Sequence, residues 1–91
     1  MVAKAKTTKK VRFEFPAPGA SRVMLVGDFT DWEPKRMTRS RSDAAAFVAT
    51  VALEPGRYEY KYLVDDEWRE DPHAECVTNA FGTANSVVKV Q

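Results

Sequence analysis

Apolar and polar residues alternate with a period of two along most of this chain. Val11, Phe13 and Phe15 alternate with Arg12 and Glu14, the pattern of a half-buried strand. Pro16-Ala17-Pro18-Gly19 stops it. Residues 22–26 form a short apolar segment, and 27–34 are rich in turn formers. Residues 37–41 read as a polar edge strand whose Arg39 and Arg41 discourage edge pairing. In the run 47–53, Phe47, Ala49, Val51 and Leu53 share one face, and Glu54-Pro55-Gly56 follows as a tight turn. The clearest strand comes next: Tyr58, Tyr60, Tyr62 and Val64 alternate with Arg57, Glu59, Lys61 and Leu63. Asp65-Asp66 predicts a hairpin turn into a return strand at 67–69, which ends at Asp71-Pro72. Residues 73–84 read as irregular, and 85–90 as a terminal strand. The Ala44-Ala45-Ala46 run is too short to nucleate a helix. Six to eight short strands with frequent turn signals predict an all-β, immunoglobulin-like antiparallel β-sandwich.

A chain of 91 residues with 44% hydrophobic content supports one domain with one core. Charge is nearly balanced at net +1, but four of the 14 basic residues fall in the first ten positions. The ten that remain face 13 acidic ones, so residues 11–91 carry −3. Residues 1–9 are therefore expected to be a flexible basic arm and residues 10–91 the folded domain. The acidic body argues against nucleic acid, and no apolar run approaches the ~18 residues of a membrane span. Cys76 is the only cysteine, so an internal disulfide is impossible and a reducing, cytoplasmic setting is expected. Cys76 itself reads as a partly buried small residue.

Catalytic chemistry finds little support. His73 is the only histidine and has no nucleophile motif beside it. The groups Asp28/Asp31 and Asp65/Asp66/Glu67 have the composition of a glycosidase carboxylate pair, but turn carboxylates ordinarily cap backbone or face water. Asp65, Asp66 and Glu67 lack calcium-loop spacing, and one histidine with one cysteine is too few for zinc. We expect no enzyme activity, no metal and no cofactor.

The two tryptophans carry more information. Trp32 and Trp68 both sit between acidic residues beside turn signals, where a large ring stays partly wet unless something covers it. Two such rings fit a ligand with a flat apolar face, as a sugar ring has. A protein partner anchored on the same rings fits them too.

Four ordered blocks then carry a family resemblance. Val26-Gly27-Asp28-Phe29-Thr30-Asp31-Trp32, Pro55-Gly56-Arg57-Tyr58-Glu59-Tyr60-Lys61-Tyr62-Leu63-Val64-Asp65, Glu67-Trp68-Arg69-Glu70-Asp71-Pro72 and Asn79-Ala80-Phe81-Gly82-Thr83-Ala84-Asn85-Ser86-Val87-Val88 resemble the motifs of family 48 carbohydrate-binding modules. The chain resembles the glycogen-binding domain of AMP-activated protein kinase β subunits and, next, the early-set domains of branching and isoamylase-type enzymes. The resemblance implies binding of α-1,4-linked glucan (glycogen, starch or maltooligosaccharide) without cleavage. It also implies a glycogen-metabolising enzyme or kinase as partner. It assigns ring stacking to Trp32 and Trp68, hydrogen bonding to Lys61, Asn85 and Thr83, and an apolar contact to Phe81. Two departures stand out: Asp66 replaces the usual turn glycine before Trp68, and Asp31 replaces asparagine beside Trp32. An early-set interaction module that binds no sugar is the alternative.

Overall fold

A computed structural model describes residues 8–78 and 82–91. Among them the strands are β1 (Lys9–Pro16), β2 (Val23–Gly27), β3 (Lys35–Arg36), β4 (Thr38–Arg39), β5 (Ala46–Leu53), β6 (Gly56–Val64), β7 (Glu67–Arg69), β8 (Glu75–Thr78) and β9 (Ala84–Val90). A single 3-10 turn (Asp28–Thr30) follows β2. All strand pairs are antiparallel. A three-stranded sheet runs β1-β5-β4, and a six-stranded sheet runs β3-β2-β6-β9-β8 with β7 also on β6. The expected β-sandwich is thus the observed one, and the described residues hold no helix long and apolar enough to cross a membrane.

Alternation places the core. Phe13 and Phe15 of the small sheet meet Tyr60 and Tyr62 of the large one, at ring-centroid distances of 5.0 Å for Phe13–Tyr60 and 4.7 Å for Phe15–Tyr62. Val23, Leu25, Met37, Phe47 and Leu53 complete a continuous buried cluster around them. Ring pairs at these separations add about 0.5–1.5 kcal/mol each beyond the burial of apolar area.

Three local readings differ from the structure. Residues 37–41 do not form one edge strand: the chain pairs with β2 at Lys35–Arg36 and with β5 at Thr38–Arg39. Met37 lies between them and is buried, so the chain changes sheets there. Residues 75–78, read as irregular, form β8 on the β9 edge. Cys76 is exposed rather than partly buried. Desolvation and the nearby Glu70 carboxylate push its thiol above the ordinary range, away from nucleophilic reactivity. Most of the expected basic arm, residues 1–7, lies outside the described residues.

Candidate functional site

The large sheet has one face on the core and one facing outward, and β6 divides its side chains between them. The core-facing tyrosines leave Glu59, Lys61 and Leu63 on the outer side. Register then fixes their neighbours. Leu63 lies opposite Met24 of β2 and Trp68 of β7, and Lys61 lies opposite Val26 of β2. Glu59 lies opposite Val87 of β9, and Asn85 sits on the same side as Val87, two residues earlier. Trp68 thus belongs to the outer face, with the Lys61 ammonium 5.9 Å from its ring centroid. That distance allows a cation–π attraction of about 0.5–1 kcal/mol at an exposed position.

Trp32 reaches its position by a different route. β2 ends at Gly27, where only glycine fits the close approach to β6: a Cβ there would sit 2.8 Å from the Glu59 carbonyl and from Tyr60 Cβ. The chain then folds back on itself, with Thr30 Oγ1 bonding both the Gly27 amide and carbonyl and the Trp32 amide donating to the same carbonyl. Asp31 and Trp32 take left-handed backbone at φ 53° and 61°. That region is uncommon for a bulky residue and persists only where surrounding bonds hold it. The indole N–H donates to Asp28 Oδ1 at 3.1 Å, and the other Asp28 oxygen accepts the Glu59 amide at 2.8 Å.

The only large hydrophobic residues exposed among those described are Trp32, at 43%, and Trp68, at 54%. Each connects to the polar groups of the outer side of β6: Trp68 to Lys61, and Trp32 through Asp28 to the Glu59 amide. Asn85 is nearly buried and donates to Glu59 Oε1 at 3.1 Å. Arg57 holds the second Glu59 oxygen at 3.2 Å. The Asn85 bond, then Arg57, hold the Glu59 carboxyl below its ordinary range against some desolvation. Thr83 is exposed just before β9. Phe81 lies outside the described residues.

Two residues of this face escaped the sequence reading, Asp28 and Glu59. Glu59 was accessible to it, because alternation puts it on the Lys61 side of β6. Asp28 was not, because its role depends on the proximity of residues 28 and 59. The turn before Trp68 adopts left-handed backbone at both Asp65 and Asp66, φ 47° and 70°, so the missing glycine does not prevent a two-residue hairpin. Asp65 is occupied there, accepting the backbone amides of Ser21 and Arg22 at 2.8–3.2 Å. Asp66 pairs with Arg22. No three His, Cys, Asp or Glu residues among those described cluster as a metal site would need.

Comparison with known proteins follows the same outline. The family whose model matches residues 9–91 is described as the glycogen recognition site of AMP-activated protein kinase. The chain is 38% identical over 73 residues to 5'-AMP-activated protein kinase subunit beta-1 of Sus scrofa, covering 80% of this chain and 57% of that protein. Against subunit beta-2 of Mus musculus it is 35% identical over 74 residues, covering 80% of this chain and 26% of that one. It therefore spans only part of the length of these relatives. Among solved structures, a maltogenic amylase from S. marinus superposes with a TM-score of 0.68 at 21% identity, over 90% of this chain and 13% of that one. A pullulanase from Anoxybacillus sp. LM18-11 superposes with a TM-score of 0.65 at 28% identity, over 96% and 14%.

Proposed function

The chain belongs to the family of glycogen recognition modules of AMP-activated protein kinase, and from that premise we propose that it binds α-1,4-linked glucan without cleaving it. The ligand lies across the outer face of the large sheet. Trp32 and Trp68 stack on glucose rings through the axial C–H face. Lys61 and Thr83 donate to sugar hydroxyls, and Asn85, held by Glu59, keeps acceptor capacity for another. Phe81 is assigned an apolar contact from sequence alone. Apolar stacking supplies most of the driving force, because hydroxyl–protein bonds replace hydroxyl–water bonds with little net gain. A shallow open face of this kind binds with a Kd on the order of 10 µM to 1 mM. The expected target is a cytoplasmic glycogen-like polymer, with a kinase or a glycogen-metabolising enzyme as protein partner.

One observation carries this reading: the two large exposed apolar residues each connect to the polar groups of the outer side of β6, Trp68 to Lys61 and Trp32 through Asp28 to the Glu59 amide. A core-packing tryptophan would be covered, and a wholly structural polar row would not need two wet rings beside it. The second reading is an interaction module that docks on a larger enzyme through the same face. It draws on the small share that the matching segment occupies in the amylolytic chains.

Titration of β-cyclodextrin and maltoheptaose into wild type, Trp32→Ala and Trp68→Ala, with circular dichroism to verify folding, separates the two. Saturable binding by wild type that is lost in both folded variants supports the glucan face. A folded wild type that binds neither sugar at millimolar concentration sinks it and leaves the docking module.

A further inference from the structure

The Asp28 carboxylate is placed between two donors that belong to different parts of the fold. One is the amide of Glu59 on β6, the strand paired on both flanks in the large sheet. The β2–β6 ladder ends at Gly27 opposite Tyr60, so the Glu59 amide beyond it has lost its strand partner and Asp28 Oδ2 takes that place at 2.8 Å. The other donor is the indole N–H of Trp32, at 3.1 Å from Oδ1. A ring that is 43% exposed has few packing contacts to fix its side-chain torsions. Its left-handed backbone sets where the side chain leaves the loop, but not how the ring plane turns about that direction. The carboxylate supplies the missing restraint and refers it to the central strand rather than to the loop.

We infer that Asp28 is a positioning residue for ligand stacking: it fixes the plane of the Trp32 indole against β6, so that the ring meets a sugar already oriented. The inference rests on the glucan reading of this face. Stacking depends on ring orientation, and a ring frozen before binding loses less rotational freedom when the ligand arrives. Asp28 makes no contact with the ligand in this scheme. Its effect passes through the indole N–H and therefore requires that N–H.

A double-mutant cycle on maltoheptaose affinity tests this. The variants are Asp28→Ala, Trp32→Phe, which keeps a stacking ring but has no N–H, and the pair. Asp28→Ala is expected to weaken binding about 3- to 10-fold with Trp32 present, the loss of one charge-assisted hydrogen bond. In the Trp32→Phe background the same substitution should weaken binding less than about 2-fold. Exchange of the Trp32 indole proton, read by 1H–15N NMR without ligand, should accelerate in Asp28→Ala. Asp28→Asn keeps the shape and one acceptor oxygen. It should fall between wild type and Asp28→Ala, and it carries the test if Asp28→Ala does not fold.

Unchanged affinity in Asp28→Ala, with wild type binding normally, overturns the inference and leaves the glucan reading intact. Equal losses in the Trp32 and Trp32→Phe backgrounds also overturn it, since Asp28 would then act through the ligand or the strand. A wild type that binds no glucan removes the reading beneath it, an outcome visible before any variant is compared.

Discussion

The two sides of β6 are built from the same strand and do opposite things. On the inner side Tyr60 and Tyr62 are buried, pack ring against ring and point both hydroxyls at one carboxylate, Asp71 Oδ2, at 2.7 and 3.4 Å. Asp71 is itself fixed by its amide bond to the buried Ser86 hydroxyl and accepts the His73 amide. On the outer side Glu59 and Lys61 are partly exposed, Glu59 held by Asn85 and Arg57 and Lys61 near the exposed Trp68 ring. The inner side closes its polar atoms on one another; the outer side leaves polar and aromatic groups facing water. Stability should follow the first and recognition the second, and a substitution that moves both together would break the division.

The largest effect belongs to the inner side. Tyr62→Ala removes a fully buried ring that contacts Phe15 and Tyr60 and is expected to cost about 3–5 kcal/mol in urea unfolding. Trp68→Ala, the outer-side counterpart, should change stability by less than about 0.5–1 kcal/mol, as for exposed positions away from structural bonds. A Trp68→Ala variant as unstable as Tyr62→Ala would show that the outer ring is structural.

Next in size is Asp71→Ala, which leaves the two phenols and the His73 amide without their acceptor. The expected loss is about 1–3 kcal/mol, with glucan affinity unchanged within about twofold. The same network gives a pH signature. Desolvation, followed by Asp71, raises the Tyr60 and Tyr62 phenols far above their ordinary range. Their contribution is therefore complete below the unfolded-chain value of about 10 and is lost as pH rises above it, because only the unfolded chain ionises freely. Chemical denaturation between about pH 9 and 11 should show that decline in wild type and a shallower one in Tyr62→Phe.

The smallest effect concerns the turn that carries Trp68. Asp66 holds φ 70° at an exposed position, where glycine is less strained. Asp66→Gly should stabilise by roughly 0.5 kcal/mol, net of a surface ion pair to Arg22 that contributes little. Thermal unfolding would register this as a small rise in Tm. A fall would mean that the Arg22 pair matters more than the backbone.

The sequence revealed β6 well, because its alternation runs over nine residues and each tyrosine lies on the buried side. It also isolated Trp32 and Trp68, since wide rings beside turn residues seldom find cover. β8 was hidden because Glu75–Thr78 has no apolar alternation of its own; pairing with β9 makes it a strand. The change of sheet at Met37 was hidden because one buried methionine among polar residues carries no period. The Asp28 bridge and the left-handed Trp32 depend on contacts 31 residues apart and on loop geometry, neither of which a local pattern encodes.

The flank of β6 opposite β2 is shared. β9 pairs as far as Tyr60 and β7 takes over at Tyr62, leaving Lys61 at the join. The chain leaves β6 after β7, returns to the sheet at β8 on the far side of β9, and reaches β6 again at β9 beside that lysine, while the β2–β6 ladder continues unbroken past it. Insertions or deletions in this excursion that spare Asp71 and β8 would thus reshape the ground next to Lys61 and Trp68 without shifting a tyrosine out of register. The join is a place where ligand preference can diversify while the scaffold is inherited unchanged.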